Sequence, residues 1–366
     1  MKILMICTVS LGANGISTCV VNYSCGLRAA GQDVHILAPE GVSADLCRKL
    51  ADNQVPLHQL PHRKAGTLLY FRRLFAHLRA HHYDVVHIHG NSCTTAIELT
   101  AAFLAGVPVR IAHSHSSSCE YMRAHKLLRP IFELCVNGRF ACGQNAGLWL
   151  FRKKSFTVIR NGIDLDAYRP NKEQAAKQRQ ALGIPADALV LGHVGMFAEV
   201  KNHIFFVKLA QQLLQLPRNW VFLLVGDGEL QPQIRQAFAD AGLSERVIFT
   251  GNVPSAAPYL QAMDLFVMPS LYEGLPFVLV EAQASGLHAL VSDRVSTEAD
   301  MTGNLQFLPI DSTTPWETAI AQLALPDRFT TSEQACVKLE AAGYSMQANV
   351  QHLVECYTRL TKKKGR

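Results

Sequence analysis

Short apolar runs recur along this chain, each closed by a polar or glycine-containing break and then by a segment of helical period. Residues 2–9 are the first such run and read as a parallel strand buried on both faces. Leu11-Gly-Ala-Asn-Gly-Ile-Ser17 breaks the run, an amphipathic segment continues to Ala30, and Gly31 supplies a helix stop. Asp33–Ala38, Tyr83–Gly90 and Pro108–Ser116 repeat the strand pattern, and Thr94–Ala105 reads as the helix between the last two. Asn161-Gly162 is a turn dipeptide, after which the pattern begins again with strands at 190–194, 221–225, 247–250 and 265–268. Tyr344–Leu360 has the period of a final helix. Alternating strands and helices predict an α/β chain with doubly wound parallel sheets. A length of 366 residues exceeds one ordinary core, so two domains are expected.

Within residues 62–82, Leu68, Phe71, Phe75 and Leu78 share one face at helical spacing, and Arg72, Arg73 and Arg79 lie off it. A helix packing that face on the core is expected, with a basic face for solvent or for acidic headgroups. Composition sharpens the second option. Hydrophobic residues at 49% and charged residues at 17% describe a globular protein. Residues 1–163 hold 18 Lys and Arg against 8 Asp and Glu, a difference of +10; the remaining 17 and 21 give −4. The first half is therefore expected to meet an anionic surface, a membrane leaflet before nucleic acid, since no nucleic-acid motif or aromatic stacking pattern accompanies the charge. The 10 cysteines show no C-x-x-C spacing and several sit in apolar patterns, which fits a reducing cytosol. The start of the chain reads as a first strand and not as a leader, and the longest apolar stretch, near 99–109, is shorter than a membrane span.

Chemistry concentrates at Met268-Pro-Ser-Leu-Tyr-Glu-Gly-Leu-Pro-Phe-Val-Leu-Val-Glu-Ala-Gln-Ala-Ser-Gly286. A strand ends there, Gly274 lets a ligand approach the backbone, Pro276 suits the first turn of a helix, and Gly286 stops that helix. Unpaired amides and the helix dipole make such a start an anion site. Glu273 and Glu281 would repel a diphosphate and should instead accept hydrogen bonds from sugar hydroxyls. Lys201, at the entrance of a helix from about His203, can offset diphosphate charge. Gly195, Gly226 and Gly251 each follow a strand, as nucleotide loops do. His113 and His115 leave their strand on one face, but no third ligand is evident nearby, so no metal is expected. Asp164-Leu-Asp166 follows the Asn-Gly turn and reads as a helix N-cap.

Ser270-Leu-Tyr-Glu273-Gly-Leu-Pro-Phe-Val-Leu-Val-Glu281-Ala resembles the E-x7-E signature of retaining glycosyltransferase family 4, in the branch that builds bacterial exopolysaccharides and capsules. The resemblance implies a GT-B fold: two Rossmann-like doubly wound domains facing a central cleft, here 1–163 and 164–343, with the last helix, about 344–366, returned onto the first. It implies transfer from a UDP-linked nucleotide sugar to a lipid-linked or oligosaccharide acceptor, without cofactor or metal. A cytoplasmic enzyme, peripheral on the inner face of the plasma membrane, is expected. Residue by residue, Glu273 would position sugar hydroxyls and Glu281 hold the ribose, with Lys201 and amides from about Phe277 on the diphosphate. Gly274, Leu275 and Pro276 complete that loop, Gly195, Gly226 and Val253 border the nucleotide, and Gly15 lies near the donor phosphates. His115, with His113 as the fallback, would contact the donor sugar. Met196 replaces the family's usual Arg, and Arg160 its proline before Asn161. Alternatives are a GT-B sugar-nucleotide epimerase and an inactive GT-B subunit of a transferase assembly.

Overall fold

The computed structural model describes residues 1–12, 14–273 and 275–362. The chain divides into two compact units, Met1–Gly162 with the segment from Ser345 onward, and Ile163–Tyr344. Among the described residues of the first unit, strands β1 (Lys2–Cys7), β2 (Asp33–Pro39), β3 (Leu57–Leu60), β4 (Val85–Gly90), β5 (Val109–Ser114), β6 (Gly138–Ala141) and β7 (Thr157–Val158) form one parallel sheet, ordered β3-β2-β1-β4-β5-β6-β7. Its helices are α1 (Gly15–Ala29), α2 (Ala44–Asp52), α3 (Thr67–His81), α4 (Ala96–Leu104), α5 (Met122–Cys135) and α6 (Gln144–Phe151). In the second unit, α7 (Leu165–Tyr168) and α8 (Lys172–Ala181) precede β8 (Leu189–Val194), α9 (His203–Leu213), β9 (Trp220–Val225), α10 (Gln231–Asp240) and β10 (Val247–Phe249). Next come α11 (Ala257–Ala262), β11 (Leu265–Met268), α12 (Phe277–Ala284), β12 (His288–Ser292), β13 (Leu305–Leu308), α13 (Thr314–Gln322) and α14 (Arg328–Ala341). The second sheet is also parallel, ordered β10-β9-β8-β11-β12-β13.

Both sheets are covered on two faces, which is why their strands read as continuous apolar runs. In β1, Ile3, Met5 and Cys7 enter one core while Leu4 and Ile6 enter the other. The strand order reverses between β1 and β4, and again between β8 and β11, so loops diverge there and leave a crevice at the strands' carboxyl ends.

A last helix, α15 (Met346–Lys362), closes the first unit. Val350, Leu353, Cys356 and Tyr357 share its buried face and join Val20, Tyr23 and Leu27 of α1. The two helices approach at Gly26, where a Cβ would lie 2.7 Å from Val350 Cγ2. Tyr23 donates its hydroxyl to the Arg160 carbonyl, which also accepts from the Asn349 amide at 3.1 Å. In the second unit, the Arg328 guanidinium donates to the carbonyls of Leu260, Gln261, Met263 and Ser285, tying the ends of α11 and α12 together. Asp164 caps α7 by accepting from the Ala167 N–H at 3.4 Å, as its position after the turn predicts.

Two expectations need correction. The strand of 2–9 ends at Cys7. Helix α3 buries Tyr70, Leu74 and Leu78, whereas Leu68 is 73% exposed and Phe71 and Phe75 are half-buried. Tyr70 is buried near Glu98, which is fully buried and paired with Arg63 at 3.2 Å. Arg72, Arg73 and Arg79 are exposed.

Candidate active site

In the second unit, the loops after β8, β9 and β10 meet through glycine. Gly195 donates its N–H to the Val225 carbonyl at 2.9 Å. Gly226 has φ +135°, and a Cβ there would lie 2.1 Å from the Gly195 oxygen. Gly228, at φ +158°, approaches the Phe197 oxygen so closely that a Cβ would sit 2.6 Å away. Backbone contact of this kind excludes any side chain. The Gly226 N–H reaches the Gly251 carbonyl at 3.0 Å, which brings in the loop carrying Val253, half-buried against the core.

The loop after β11 docks on the loop after β8. Leu271 donates to the Val200 carbonyl at 2.8 Å, and the Asn202 side-chain amide donates to the Pro269 carbonyl at 3.1 Å. This brings Lys201 Nζ within 2.7 Å of Glu273 Oε1, with 16% and 20% of the two side chains exposed. Pro276 is the N-cap of α12, with φ −71° and ψ 126°, one residue before the place in the first turn that the sequence suggests. It offers no side-chain cap; its carbonyl accepts from the Leu279 N–H at 3.1 Å, and the helix start at Phe277 presents the positive end of the helix dipole. Leu275 is exposed and Pro276 buried; Gly274 lies outside the described residues.

Glu281, one turn into α12, is paired with the Tyr168 hydroxyl from α7. Burial pushes the Glu281 carboxyl above the usual carboxylate range, and the Tyr168 hydrogen bond opposes it. The Tyr168 phenol is in turn driven up, first by burial and then by the Glu281 charge. Sequence reasoning misses Tyr168, because nothing in the segment around it signals a partner so far along the chain. The structure thus joins Gly195, Gly226, Lys201 and Glu273 directly, and puts Glu281 on the helix that Glu273's loop begins. A cation and a helix N-terminus suit an anion; the carboxylates suit hydroxyls.

In the first unit, Gly15 is the first residue of α1. Asn14 caps that helix by accepting from the Ser17 N–H at 3.0 Å, and the Gly12 N–H uses Ser17 Oγ at 3.2 Å. His113 and His115 do share a face, with ring centroids 4.4 Å apart. The absence of a third ligand nearby is overturned. Parallel register sets His89 of β4 beside His113, so the two His-x-His segments interleave. His115 Nε2 and His89 Nδ1 are 2.9 Å apart, and His113 Nδ1 and His87 Nε2 are 3.1 Å apart. One ligand atom each from Cys19, His89 and His115 lies within 4.8 Å of the others, as do those of His87, His89 and His113. Nitrogen and thiol donors of this kind suit a borderline ion. Burial holds His115 down to about 4 and the other three well below the usual histidine range, so the imidazoles are neutral near pH 7 and bond to one another.

Residues 188–324 match the family model described as Glycosyl transferases group 1, and residues 14–143 that of the glycosyl transferase 4-like domain. The putative glycosyltransferase EpsF of Bacillus subtilis (strain 168) is 37% identical over 294 residues, 77% of this chain and 76% of that one. The UDP-Gal:alpha-D-GlcNAc-diphosphoundecaprenol alpha-1,3-galactosyltransferase of Escherichia coli is 31% identical over 234 residues, 60% of each chain. Among solved structures, HepE of Anabaena in complex with UDP matches 98% of this chain and 100% of its own with a TM-score of 0.78. At 18% identity that likeness speaks for the fold alone.

Proposed function

The chain belongs to glycosyltransferase family 4 and has the GT-B fold, and on that premise we propose that it is a retaining transferase using a UDP-linked sugar. The observation that carries this reading is the Lys201–Glu273 pair at 2.7 Å, set at the β8/β11 reversal beside the uncapped start of α12. In this reading a diphosphate docks over Gly195, takes hydrogen bonds from the α12 amides and draws Lys201 toward its oxygens. Glu273, from which Lys201 turns as the diphosphate arrives, orients sugar hydroxyls. Glu281, fixed by Tyr168, accepts from the ribose, and Gly226 and Val253 border the base.

Transfer then proceeds at the front face. The acceptor oxygen bonds to the anomeric carbon on the side from which the diphosphate leaves, the carbon–oxygen bond to phosphate breaks, and the acceptor proton passes to the departing phosphate oxygen. Lys201 and the amides stabilise the charge that builds there. A diphosphoundecaprenol-linked acceptor, named for the Escherichia coli relative, or a related oligosaccharide fits a role in surface-polysaccharide synthesis.

We also propose that the first unit docks on an acidic membrane leaflet. Among the described residues no helix is long and apolar enough to cross a membrane. Helix α5, however, exposes Leu127 (78%) and Leu134 (72%) alongside Arg123 and Lys126, and Arg152, Lys153 and Lys154 are exposed beyond α6. Apolar anchors ringed by cations are what an anionic interface accepts.

Incubating the protein with a panel of nucleotide sugars, with and without lipid-linked acceptors, tests the activity. UDP release that depends on acceptor, with the product keeping the donor's anomeric configuration, is expected. Conversion of the donor without acceptor would favour the epimerase reading, and no turnover of any donor would favour the inactive subunit.

A further inference from the structure

His193, on β8 two residues before Gly195, belongs to neither carboxylate nor lysine in the reading above. Its ring is 1% exposed, and its Nδ1–H donates to the Val267 carbonyl of β11 at 2.8 Å. The neutral ring therefore carries its lone pair on Nε2. That nitrogen is buried and has no hydrogen-bond partner among the described residues. A Cβ built on Gly195 would lie 3.0 Å from His193 Nε2, and 3.2 and 3.3 Å from Cε and Cδ of Lys201. The missing side chain at 195 thus leaves a notch bounded by an imidazole nitrogen on one side and the lysine stem on the other. Phe206 and Phe266 pack around the ring, and His203 of α9 meets it edge-on at 4.8 Å.

Charge at this notch is short on the positive side. Lys201 is already paired with Glu273, and Met196, on the same loop, is apolar and 60% exposed. A nucleoside diphosphate brings at least two negative charges. We propose that His193 binds a proton from solvent on Nε2 when a diphosphate docks over Gly195, and that the resulting imidazolium donates to a phosphate oxygen as a second cation beside Lys201. The inference rests on reading this loop as the diphosphate site.

Without ligand, burial holds His193 well below the usual histidine range; the nearby His203 and Lys201 act in the same direction, and the Val267 carbonyl acts against it. Glu273 faces the same group through its pair with Lys201. An arriving diphosphate reverses the sign of the local potential, and a charge-assisted N–H···O bond forms where an unpartnered lone pair stood.

Calorimetric titration with UDP at pH near 7.5, in buffers of different ionisation enthalpy, counts the protons bound. The parent is expected to take up close to one proton more per UDP than His193→Gln. The variant should also bind UDP about tenfold more weakly, the scale of one charge-assisted bond. The terminal phosphate of UDP titrates in both proteins, so the difference between them is the reading. His203→Gln should keep the uptake. Equal proton counts in parent and His193→Gln, with UDP bound by both, or uptake lost only in His203→Gln, would overturn the inference and leave the diphosphate site standing. No UDP binding by the parent would remove both. Should His193→Gln not fold, the unaltered protein labelled with 15N-histidine decides: UDP must convert one imidazole nitrogen from unprotonated to protonated, and an unchanged spectrum contradicts the proposal.

Discussion

Lys201 and Glu273 hold each other at 2.7 Å, so an incoming diphosphate must take Lys201 from a carboxylate and not from water. On the proposed reading Lys201→Ala removes the cation beside the leaving group, and turnover should fall on the order of a hundredfold, the scale for losing one such donor. A variant at parental kcat would point to another cation. Both residues were legible in the sequence because a glycine loop, a proline and a helix start surround them. Tyr168 and His193 were not. Each is read only through a partner on a distant segment, Glu281 for one and the Val267 carbonyl for the other. The same limit hid the third member of the histidine cluster, since the pairing of His89 with His113 is set by strand register and not by spacing.

Elements follow the hydrophobic pattern where a strand is buried on both faces, and depart from it where an amphipathic helix offers two overlapping apolar faces. Residues 67–81 show this. Positions 68, 71, 75 and 78 and positions 70, 74 and 78 both have helical period, and the core takes the second set, with Tyr70, Leu74 and Leu78 packed in it. Loop packing is more rigidly encoded. Gly226→Ala places a Cβ 2.1 Å from the Gly195 oxygen at a φ that side chains avoid, so the loops after β8 and β9 must separate. Backbone strain of this kind costs about 1–3 kcal/mol, and UDP affinity should drop with it while the far-ultraviolet circular dichroism stays parental. Unchanged affinity would remove these loops from the site. Helix α5 gives a separate test. The protein should sediment with vesicles containing anionic lipid and be released by salt, each basic residue at the surface contributing about 1 kcal/mol within a screening length of roughly 10 Å. Neutralising Arg123 and Lys126 should weaken this, because both are exposed on the helix that presents Leu127 and Leu134. Equal sedimentation with neutral vesicles would contradict an electrostatic contact.

For the whole molecule, the repeated strand–helix pattern made two α/β units legible, yet the return of α15 to the first sheet is settled by Val350, Leu353 and Tyr357 packing on α1. Its Tyr357 hydroxyl lies 2.6 Å from His87 Nδ1 and so ties the chain's end to the buried imidazoles. Those imidazoles set an acid limit. His87, His89, His113 and His115 have folded pKa values below that of the unfolded chain, about 6.5, so unfolding binds protons and stability falls as pH falls. The loss begins near pH 6.5 and, for His115, runs down to about 4, at up to roughly 1.4 kcal/mol per pH unit for each group. The melting temperature at constant ionic strength should therefore drop between pH 7.5 and 5; a flat profile would contradict the buried cluster. The most direct test of the account is UDP affinity and sugar transfer measured together on Glu273→Ala and Glu281→Ala. Glu273→Ala should lose transfer while binding UDP as tightly as the parent or more so, since Lys201 is released; Glu281→Ala should bind UDP more weakly. Two variants that bind UDP like the parent and still transfer sugar would place the site elsewhere.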